Sequence, residues 1–302
     1  MPAVTVWTPT YNRREALKRP YNALVEQTCK DFEWLIVDDR SDDGTKERVT
    51  TWRQNAEFPI RFVEQPQDKT GKHRAFNIGV QLADGQFFSP LDSDDSMPSD
   101  AIELMLDEWE QIPKDQRNKF AGVAGYCKTP DGEIVGQRLP DSPMDTNLIE
   151  LRYRYGISEE LWGMHKTDIL RQFTFPDIDE RFVPEDLVWD RVAQQYSRRY
   201  VNKAFRIYYP DENDDQLTKL SLDGIAEGHY EWHKMRLNEQ SNWIPQAPFT
   251  FFKSAVHYTR FGIYSGRSVQ ELLRDVIPYP SKALVFAGYP IGYLISNIHD
   301  QI

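Results

Sequence analysis

The sequence is poor in cysteine, in positive charge and in long hydrophobic runs. Two cysteines, Cys29 and Cys127, in 302 residues are too few for a disulfide framework or a structural zinc site, so we expect buried free thiols. A net charge of −11 argues against a protein that binds nucleic acid through general attraction to phosphate. The sequence contains no apolar run long enough to span a membrane, and no secretion signal opens it, so we expect a cytoplasmic protein.

Apolar residues make up 40% of the chain and aromatic residues 13%, which is typical of a globular protein. Strand-like and helix-like segments alternate through the first 91 residues. Strands are predicted at 3–9, 32–39, 59–65 and 85–91, and helices at 13–28, 46–55 and 72–84. This alternation predicts an α/β fold with a doubly wound, mostly parallel sheet. In such sheets, ligands bind at the carboxyl ends of the strands.

Polar clusters follow three of these predicted strands. They are "TPTYN" (8–12), "VDDRSDDGT" (37–45) and "LDSDDS" (91–96). The carboxylate of Asp39 could accept hydrogen bonds from a base or a ribose, and the Tyr11 ring could stack on a base. The alternatives are purely structural: a turn-forming or capping role for the acids and ordinary packing for the tyrosine.

The third cluster holds three acids within four positions, Asp92, Asp94 and Asp95. Ionised carboxylates repel one another, so a cation is expected among them. Capping of the next helix explains one acid but not three. Paired carboxylates are ligands for Mg²⁺ or Mn²⁺, which usually bind one or two of them together with substrate phosphates. The run therefore predicts a divalent cation and a diphosphate.

The four motifs "VTVWTPTYN", "WLIVDDRSDDGT", "GKHRAFN" and "LDSDD" together resemble family 2 glycosyltransferases of the GT-A fold, over about the first 100 residues. The resemblance implies a nucleotide-diphospho-sugar donor, a required Mn²⁺ or Mg²⁺ ion and inversion at the anomeric carbon. It also implies residue roles: Pro9 and Tyr11 line the nucleotide pocket, Asp39 binds the base or ribose, Lys72 approaches the nucleotide or its diphosphate, Asp92 lies near the ribose or metal, and Asp94 is the first metal ligand. Arg40 stands where many relatives have glycine.

In the second half, "FPDIDERFVPEDLVWDRVAQQY" (175–196) combines a turn-rich lead with a helix. Glu185 and Asp186 fall at its first turn, where acids are favoured by the helix dipole. The resemblance assigns them instead to catalysis, with Asp186 as the base that deprotonates the acceptor hydroxyl and Glu185 as its neighbour. A positioned carboxylate suits that role.

Two further residues are candidates for binding the acceptor. Trp162 and His165 lie in "LWGMHKTDIL" (161–170), which resembles the acceptor-side segment of the family. Trp162 could stack on a sugar ring or pack in the core. His165 could contact the acceptor or the metal, or be a structural histidine. The preceding segment "FAGVAGYCK" (120–128) predicts a central strand behind the metal site.

These segments predict three parts of the chain: 1–128, the nucleotide-sugar half of the GT-A domain; 129–210, the acceptor half; and 211–302, a mostly helical C-terminal extension. In the extension, His229 and His233 are spaced for a metal, but a pair without a third ligand predicts a solvated face. A locally basic stretch, 253–282, precedes the apolar segment 283–298. That segment predicts peripheral contact with the inner face of the cell membrane, docking on the catalytic domain, or a homo-oligomer.

The function that fits these features is transfer of a sugar, with a UDP-sugar as the favoured donor, to a hydroxyl of a glycan or lipid-linked acceptor in polysaccharide biosynthesis. A GDP-sugar remains open, because a carboxylate at Asp39 can read guanine as well as uracil. Two alternatives remain. A sugar nucleotidyltransferase would need a Gly-rich basic loop near residue 10, which "TPTYNRR" lacks. A noncatalytic sugar-nucleotide-binding module would not need both acidic motifs.

Overall fold

The computed structural model describes residues 1–67, 70–158, 160–180, 182–210 and 222–299. The chain divides into two units, which are described separately. The first unit comprises Met1–Phe175 and Val188–Asp214, and the second comprises Pro176–Leu187 and Asp215–Ile302. The predicted division at 128 falls inside the first unit, and the one at 210 adjoins residues 211–221, which lie outside the described ranges.

In the described residues, nine strands form one sheet, which belongs to the first unit. They are β1 (Val4–Thr10), β2 (Phe32–Asp38), β3 (Ile60–Glu64), β4 (Phe87–Pro90), β5 (Phe120–Lys128), β6 (Ile134–Val135), β7 (Met144–Thr146), β8 (Leu161–Lys166) and β9 (Ser197–Ile207). The order is β3-β2-β1-β4-β8-β5-β9-β7, with β6 paired to β5. Strands β1 to β4 are parallel, whereas β8 runs antiparallel to both of its neighbours. The three polar clusters therefore follow three adjacent parallel strands, at the edge of the sheet where the carboxyl ends of these strands lie.

Helices flank the sheet of the first unit; those predicted at 46–55 and 72–84 are found close to these positions, whereas the one predicted at 13–28 is shorter. The helices of this unit are α1 (Lys18–Val25), α2 (Thr45–Asn55), α3 (Lys72–Leu82), α4 (Ala101–Glu110), α5 (Leu148–Arg154), α6 (Thr167–Leu170) and most of α7 (Asp186–Gln195). Helix α1 was predicted from residue 13 but begins only at Lys18. This start places Pro20 in the first turn, where its missing N–H costs no helical hydrogen bond.

Strand β2 is buried along its whole length because it lies between β1 and β3. Its one charged residue before the carboxyl end, Glu33, is 3% exposed and accepts hydrogen bonds from the Thr5 hydroxyl at 2.7 Å and the Asp84 N–H at 2.8 Å. These partners offset the cost of burying a carboxylate. Both cysteines are free, as expected; Cys127 is buried and Cys29 is half-buried.

The second unit is helical after residue 222. Its helices are α8 (Ala226–Glu239), α9 (Pro248–Tyr264), α10 (Val269–Asp275) and α11 (Tyr279–His299). Helix α11 packs on α9 through a face that includes Gly288 and Gly292, whose missing side chains let the two helices approach closely. The opposite face of α11 exposes Phe286 (76%) and Leu294 (62%). Of the helices in the described ranges, none combines the length and hydropathy that a bilayer crossing requires.

Candidate functional site

The acidic turn, residues 92–95, follows β4 directly. The chain enters it from Leu91, whose N–H donates to the carbonyl of Trp7 at 2.7 Å. It closes where the N–H of Asp95 donates to the carbonyl of Asp92 at 3.2 Å. The side chains of Asp92 and Asp94 are 29% and 28% exposed, whereas Asp95 is buried. Two of the three carboxylates therefore face the edge of the sheet, and the third points into the protein.

Each acid of this turn pairs with a cation from a different part of the first unit. The pairs are Asp92 with Lys72 at 2.8 Å, Asp94 with Arg13 at 2.5 Å, and Asp95 with Arg206 at 2.7 Å. A further contact joins Arg19 to the backbone carbonyl of Asp94. These cations offset the mutual repulsion of three carboxylates within four residues.

The pKa values of the carboxyl groups at the two ends of the turn are shifted in opposite directions. Burial raises the pKa of Asp92, but the charges of Lys72 and Arg206 outweigh burial and hold that pKa below its usual range. Burial raises the pKa of Asp95 to about 7, although Arg206 opposes the rise. Asp92 is thus ionised at neutral pH, while Asp95 pairs with the buried Arg206.

Two contacts connect the acidic turn to the end of β2. The N–H of Gly71 donates to Oδ2 of Asp39 at 2.9 Å, and Gly71 has φ 111°, a conformation that favours glycine. The next residue, Lys72, begins α3 and contacts Asp92. The structure thereby brings together Asp39, Lys72 and Asp92, which the sequence assigned to one nucleotide site.

The end of β1 forms the neighbouring part of this edge. Pro9 lies opposite Val37 of β2, and Tyr11 is 51% exposed. Arg40 is exposed and has φ 70°. Glycine adopts that left-handed conformation without steric cost.

The structure corrects the expectation for Trp162. Its ring is 5% exposed in the hydrophobic core, and its indole N–H donates to the carbonyl of Pro90, so it is not available to stack on a sugar. His165 lies on the same strand, is 4% exposed, and stacks on Trp189 with ring centroids 4.5 Å apart. Burial lowers the pKa of His165 well below its usual range. Both residues are therefore packed inside the first unit.

Glu185 and Asp186 belong to the second unit, at the start of α7. The segment that carries them is held on the N-terminus of α8. The Glu180 carboxylate accepts the N–H groups of Glu227 at 2.7 Å and Gly228 at 2.8 Å. A Cβ atom on Gly228 would lie 2.9 Å from the carbonyl oxygen of Phe182, so glycine permits this close approach.

Three arginines contact the acidic turn without having been predicted from the motifs: Arg13, Arg19 and Arg206. Arg13 follows the polar cluster of β1 directly, and its position beside that cluster was the available signal. Arg206 lies in "KAFRIYY" on β9 and carried no signal, because only the pairing of β9 with β5 brings it to Asp95.

Asp92 and Asp94 are the residues that would hold a divalent cation at this edge. In the ranges that the structure describes, no group of three or more acidic, histidine or cysteine side chains is arranged to hold a metal by itself. Two carboxylates fit Mg²⁺ or Mn²⁺ when the remaining ligands come from a diphosphate and water.

Comparison with known proteins decides the family. The sequence model described as "Glycosyl transferase family 2" matches residues 5–175, more than half of the chain. The chain belongs to glycosyl transferase family 2. It is therefore a glycosyltransferase, which confirms the prediction from the four motifs and excludes both the nucleotidyltransferase and the noncatalytic alternatives.

Two curated members illustrate the range of relatives. The chain is 25% identical over 271 residues to the GalNAc(5)-diNAcBac-PP-undecaprenol beta-1,3-glucosyltransferase of Campylobacter jejuni, covering 86% of this chain and 84% of that protein. It is 30% identical over 245 residues to a chondroitin synthase of Pasteurella multocida, covering 80% of this chain but 24% of the synthase. The chain thus spans most of the first relative and about a quarter of the second.

Solved structures support the fold. The crystal structure of S. aureus TarS 1–349 in complex with UDP-GlcNAc matches 100% of this chain and 92% of its own, with a TM-score of 0.61 and 18% identity. The mannosyltransferase PcManGT of Pyrobaculum calidifontis, in complex with GDP-Man and Mn²⁺, covers 100% of this chain and 88% of its own, with a TM-score of 0.51 and 17% identity. The predicted GT-A fold with C-terminal helices is confirmed.

Proposed function

We propose that this glycosyltransferase transfers a sugar from a UDP-sugar to a hydroxyl group, with inversion and with a divalent metal ion. The observation that carries the proposal is the connection from Asp39 through Gly71 and Lys72 to Asp92, at 2.9 Å and 2.8 Å. It supports a single site in which one end contacts a nucleoside and the other end contacts a diphosphate.

On the donor side, Pro9, Tyr11 and Asp39 bind the nucleoside, and Asp92 and Asp94 hold the metal ion. Bound Mn²⁺ or Mg²⁺ would stabilise the negative charge that develops on the leaving diphosphate. Lys72 adds a fixed positive charge beside the same group. With that charge stabilised, the bond between the anomeric carbon and the diphosphate breaks more easily.

On the acceptor side, Asp186 is the general base, and Glu185 is its neighbour in sequence. A sugar hydroxyl is a weak nucleophile near neutral pH, so a carboxylate within hydrogen-bond reach takes its proton as it attacks the anomeric carbon. Attack on the face opposite the leaving diphosphate inverts that carbon in one displacement. The anchoring of residues 176–187 by Glu180 supports a fixed position for Asp186 within the second unit.

The acceptor that we propose is a glycan or a lipid-linked glycan. The Campylobacter jejuni relative acts, by its name, on an undecaprenol-linked oligosaccharide, and the Pasteurella multocida relative is named a chondroitin synthase. Both names support a role in polysaccharide or glycolipid biosynthesis.

We further propose peripheral contact with the inner face of the cell membrane through the exposed face of α11. That face carries Phe286, Ile291, Tyr293 and Leu294 at 76%, 43%, 48% and 62% exposure. Apolar side chains of an amphipathic helix enter the headgroup region of a bilayer, and basic residues nearby are attracted to anionic lipids. Such contact would bring a cytoplasmic enzyme to a lipid-linked acceptor. A homo-oligomer that covers the same face is the competing proposal.

The experiment that tests the function is donor hydrolysis and transfer with UDP-sugars, with Mn²⁺, Mg²⁺ or chelator present. Proton NMR of the first-formed product reads its anomeric configuration. Metal-dependent release of UDP with inverted product supports the proposal. Retained configuration, or equal rates in chelator, contradicts it.

A further inference from the structure

Helices α8 and α9 face each other along a row of histidine, arginine and tryptophan side chains. His229 stacks on Phe261 at 4.8 Å and His233 on His257 at 5.4 Å, which shows that the two helices run antiparallel. On α8 the row continues one turn further to Arg236, which lies 4.4 Å from the Trp232 ring. We call this set the His–Arg cluster; its members are His229, Trp232, His233 and Arg236 on α8, and Lys253, His257 and Arg260 on α9.

The cluster corrects the expectation of a solvated face for His229 and His233. His233 is 5% exposed, and its Nδ1 lies 2.8 Å from the Ser254 hydroxyl. The spacing of four residues therefore places both rings against α9 and not in solvent. It does not create a metal site, since the ranges that the structure describes contain no suitable group of three ligands.

Several buried polar atoms of the cluster have no hydrogen-bond partner in the part of the chain that the structure describes. They are Nδ1 of His229, Nε1 of Trp232, Nε of Arg236, Nδ1 of His257 and Nε of Arg260. Arg236 is itself 7% exposed. Buried polar groups are nearly always paired in folded proteins. Nε of arginine and Nε1 of tryptophan always donate, whereas Nδ1 of a neutral histidine donates or accepts according to its tautomer. Three obligate donors on two facing helices therefore indicate a ligand that accepts hydrogen bonds.

The charges of the cluster indicate an anion. Arg236, Arg260 and Lys253 form no ion pair with a carboxylate in the described residues. The acids of α8 are engaged elsewhere: Glu231 pairs with Lys234 at 3.0 Å, and Glu227 pairs with Arg267 at 2.5 Å. Lys253 is exposed to solvent, but Arg236 and Arg260, which have no counter-ion among the described residues, together exceed the single charge of a carboxylate. They fit a phosphoryl group, which carries up to two charges and several acceptor oxygens.

The cluster lies on the side of the candidate base. Burial lowers the pKa of His229 to about 4, with the charges of His257 and Arg260 acting in the same direction, while the Asp186 carboxylate opposes them. The ring of His229 also lies 5.9 Å from the ring of Phe182, which belongs to the segment 176–187 that carries Asp186 within the second unit. A group bound by the cluster would therefore be part of the acceptor, or of the surface that presents it.

We propose that the His–Arg cluster binds a phosphoryl group of the acceptor, so that the enzyme selects phosphate-bearing acceptors over neutral ones. This inference rests on the proposed function, because it assigns a chemical class to the acceptor. The phosphoryl group belongs either to the glycan itself or to a lipid headgroup, and the test separates these sources.

The test titrates the full-length protein with inorganic phosphate, with UDP and Mg²⁺ at saturation so that the donor site is filled. Imidazole ¹H–¹⁵N NMR follows the six histidines of the chain. We expect the signals of His229 and His257 to shift and those of His73 and His165 to stay. Arg236→Gln and Arg260→Gln should each weaken phosphate binding about tenfold, the effect of losing one charge-assisted hydrogen bond.

The matched control is Lys234→Gln, which removes one positive charge from α8 at the residue that pairs with Glu231. It should bind phosphate like the wild type. The proposal is overturned if Lys234→Gln loses as much phosphate affinity as the arginine variants. It is also overturned if phosphate shifts the NMR signals of His73 and His165 only. Arg236 is buried, so Arg236→Gln could prevent folding. Arg260 is only half-buried, and Arg260→Gln then provides the test.

The two sources are separated by a vesicle arm. If phosphatidylglycerol vesicles shift the NMR signals of the same histidines, and Arg260→Gln abolishes this shift, the site binds a lipid headgroup. If only soluble phosphate shifts these signals, the site binds a phosphoryl group of the glycan. No response in either arm overturns the proposal. UDP affinity and donor hydrolysis are measured on every variant; if both are normal while phosphate fails to bind, this inference fails and the proposed function stands.

Discussion

Nη1 of Arg13 lies 2.5 Å from Oδ2 of Asp94, so the carboxylate proposed as the first metal ligand is paired with a cation of the protein. A metal ion bound to the same oxygen would share or replace this contact. The arginine would then compete with the metal for that oxygen, so substitutions of the two residues should change metal binding in opposite directions.

Asp94→Ala should abolish transfer and the metal-dependent part of UDP binding, because a hard cation loses an anionic oxygen ligand. Arg13→Gln should instead strengthen Mn²⁺ binding without nucleotide by up to about fivefold, since a partly exposed ion pair contributes about 1 kcal/mol or less. Calorimetry of Mn²⁺ and UDP measures both effects. Asp100→Ala, an exposed acid after the turn, is the control, and unchanged Mn²⁺-dependent UDP affinity in Asp94→Ala contradicts the metal assignment.

Asp186→Asn should lower turnover by about 10² or more, the effect expected for loss of a general base. The affinity for UDP should change little, because the proposed nucleotide contacts lie at Asp39 and Lys72. Single-turnover transfer assays and UDP calorimetry measure the two quantities separately. Glu185→Gln is the matched control; if it loses turnover while Asp186→Asn does not, the base is Glu185.

A thermal-shift panel of UDP, GDP, dTDP and CMP with Mn²⁺ tests the donor. A ligand at a hundredfold excess over its dissociation constant stabilises the folded state by about 2.7 kcal/mol, which raises the Tm by a few degrees. We expect the largest rise with UDP, and Asp39→Ala should remove its advantage. A larger rise with GDP would reverse the donor assignment and leave the enzyme class unchanged.

The histidines of α8 and α9 predict how stability depends on pH. Burial lowers the pKa of His229 from 6.5 to about 4, and it lowers the pKa values of His233 and His257 as well. These rings are neutral in the folded state and bind protons on unfolding, so their contribution to stability is present above pH 6.5 and is lost as the pH falls toward 4. The Tm of His229→Gln/His257→Gln should therefore decline less than that of the wild type over this range. Parallel declines contradict the assignment.

Phe286→Glu and Leu294→Glu should reduce binding to anionic vesicles, because each substitution places a charge on the exposed apolar face of α11. Burial of one such side chain contributes about 1.5–3 kcal/mol, so a loss of about tenfold or more is expected. Vesicle co-sedimentation measures it. Val25→Glu, an exposed apolar position of α1, is the control. A shift in oligomeric state without any change in vesicle binding favours the homo-oligomer.

The first half of the fold was predictable because its signals are local. Alternating apolar strands, helical periodicity and turn residues predicted β1 to β4 with their helices, and "FAGVAGYCK" predicted β5 with its observed bounds. The ends of the predicted strands already indicated Asp39, Asp92 and Asp94, whereas the assignment of Lys72 depended on the family resemblance. The structure brings Asp39, Lys72 and Asp92 into a connected set.

The rest depends on contacts between distant parts of the chain. Arg206 reaches Asp95 only because β9 pairs with β5, and the bridge between Ser96 and Ile207 holds the same region. The core position of Trp162 follows from β8 lying between β4 and β5, which its own segment does not reveal. Residues 176–187 belong to the second unit because Glu180 contacts α8, and the hydrophobic periodicity of the sequence does not predict this contact.

That membership has a consequence for recombination between relatives. The second unit is assembled from two stretches of chain, Pro176–Leu187 and Asp215–Ile302, with part of the sheet encoded between them. A hybrid that exchanges only the C-terminal helices would seat the native 176–187 segment on a foreign α8, where any side chain at the position of Gly228 would collide with Phe182. A hybrid that exchanges the whole second unit therefore needs crossovers on both sides of 176–187 as well as one after β9.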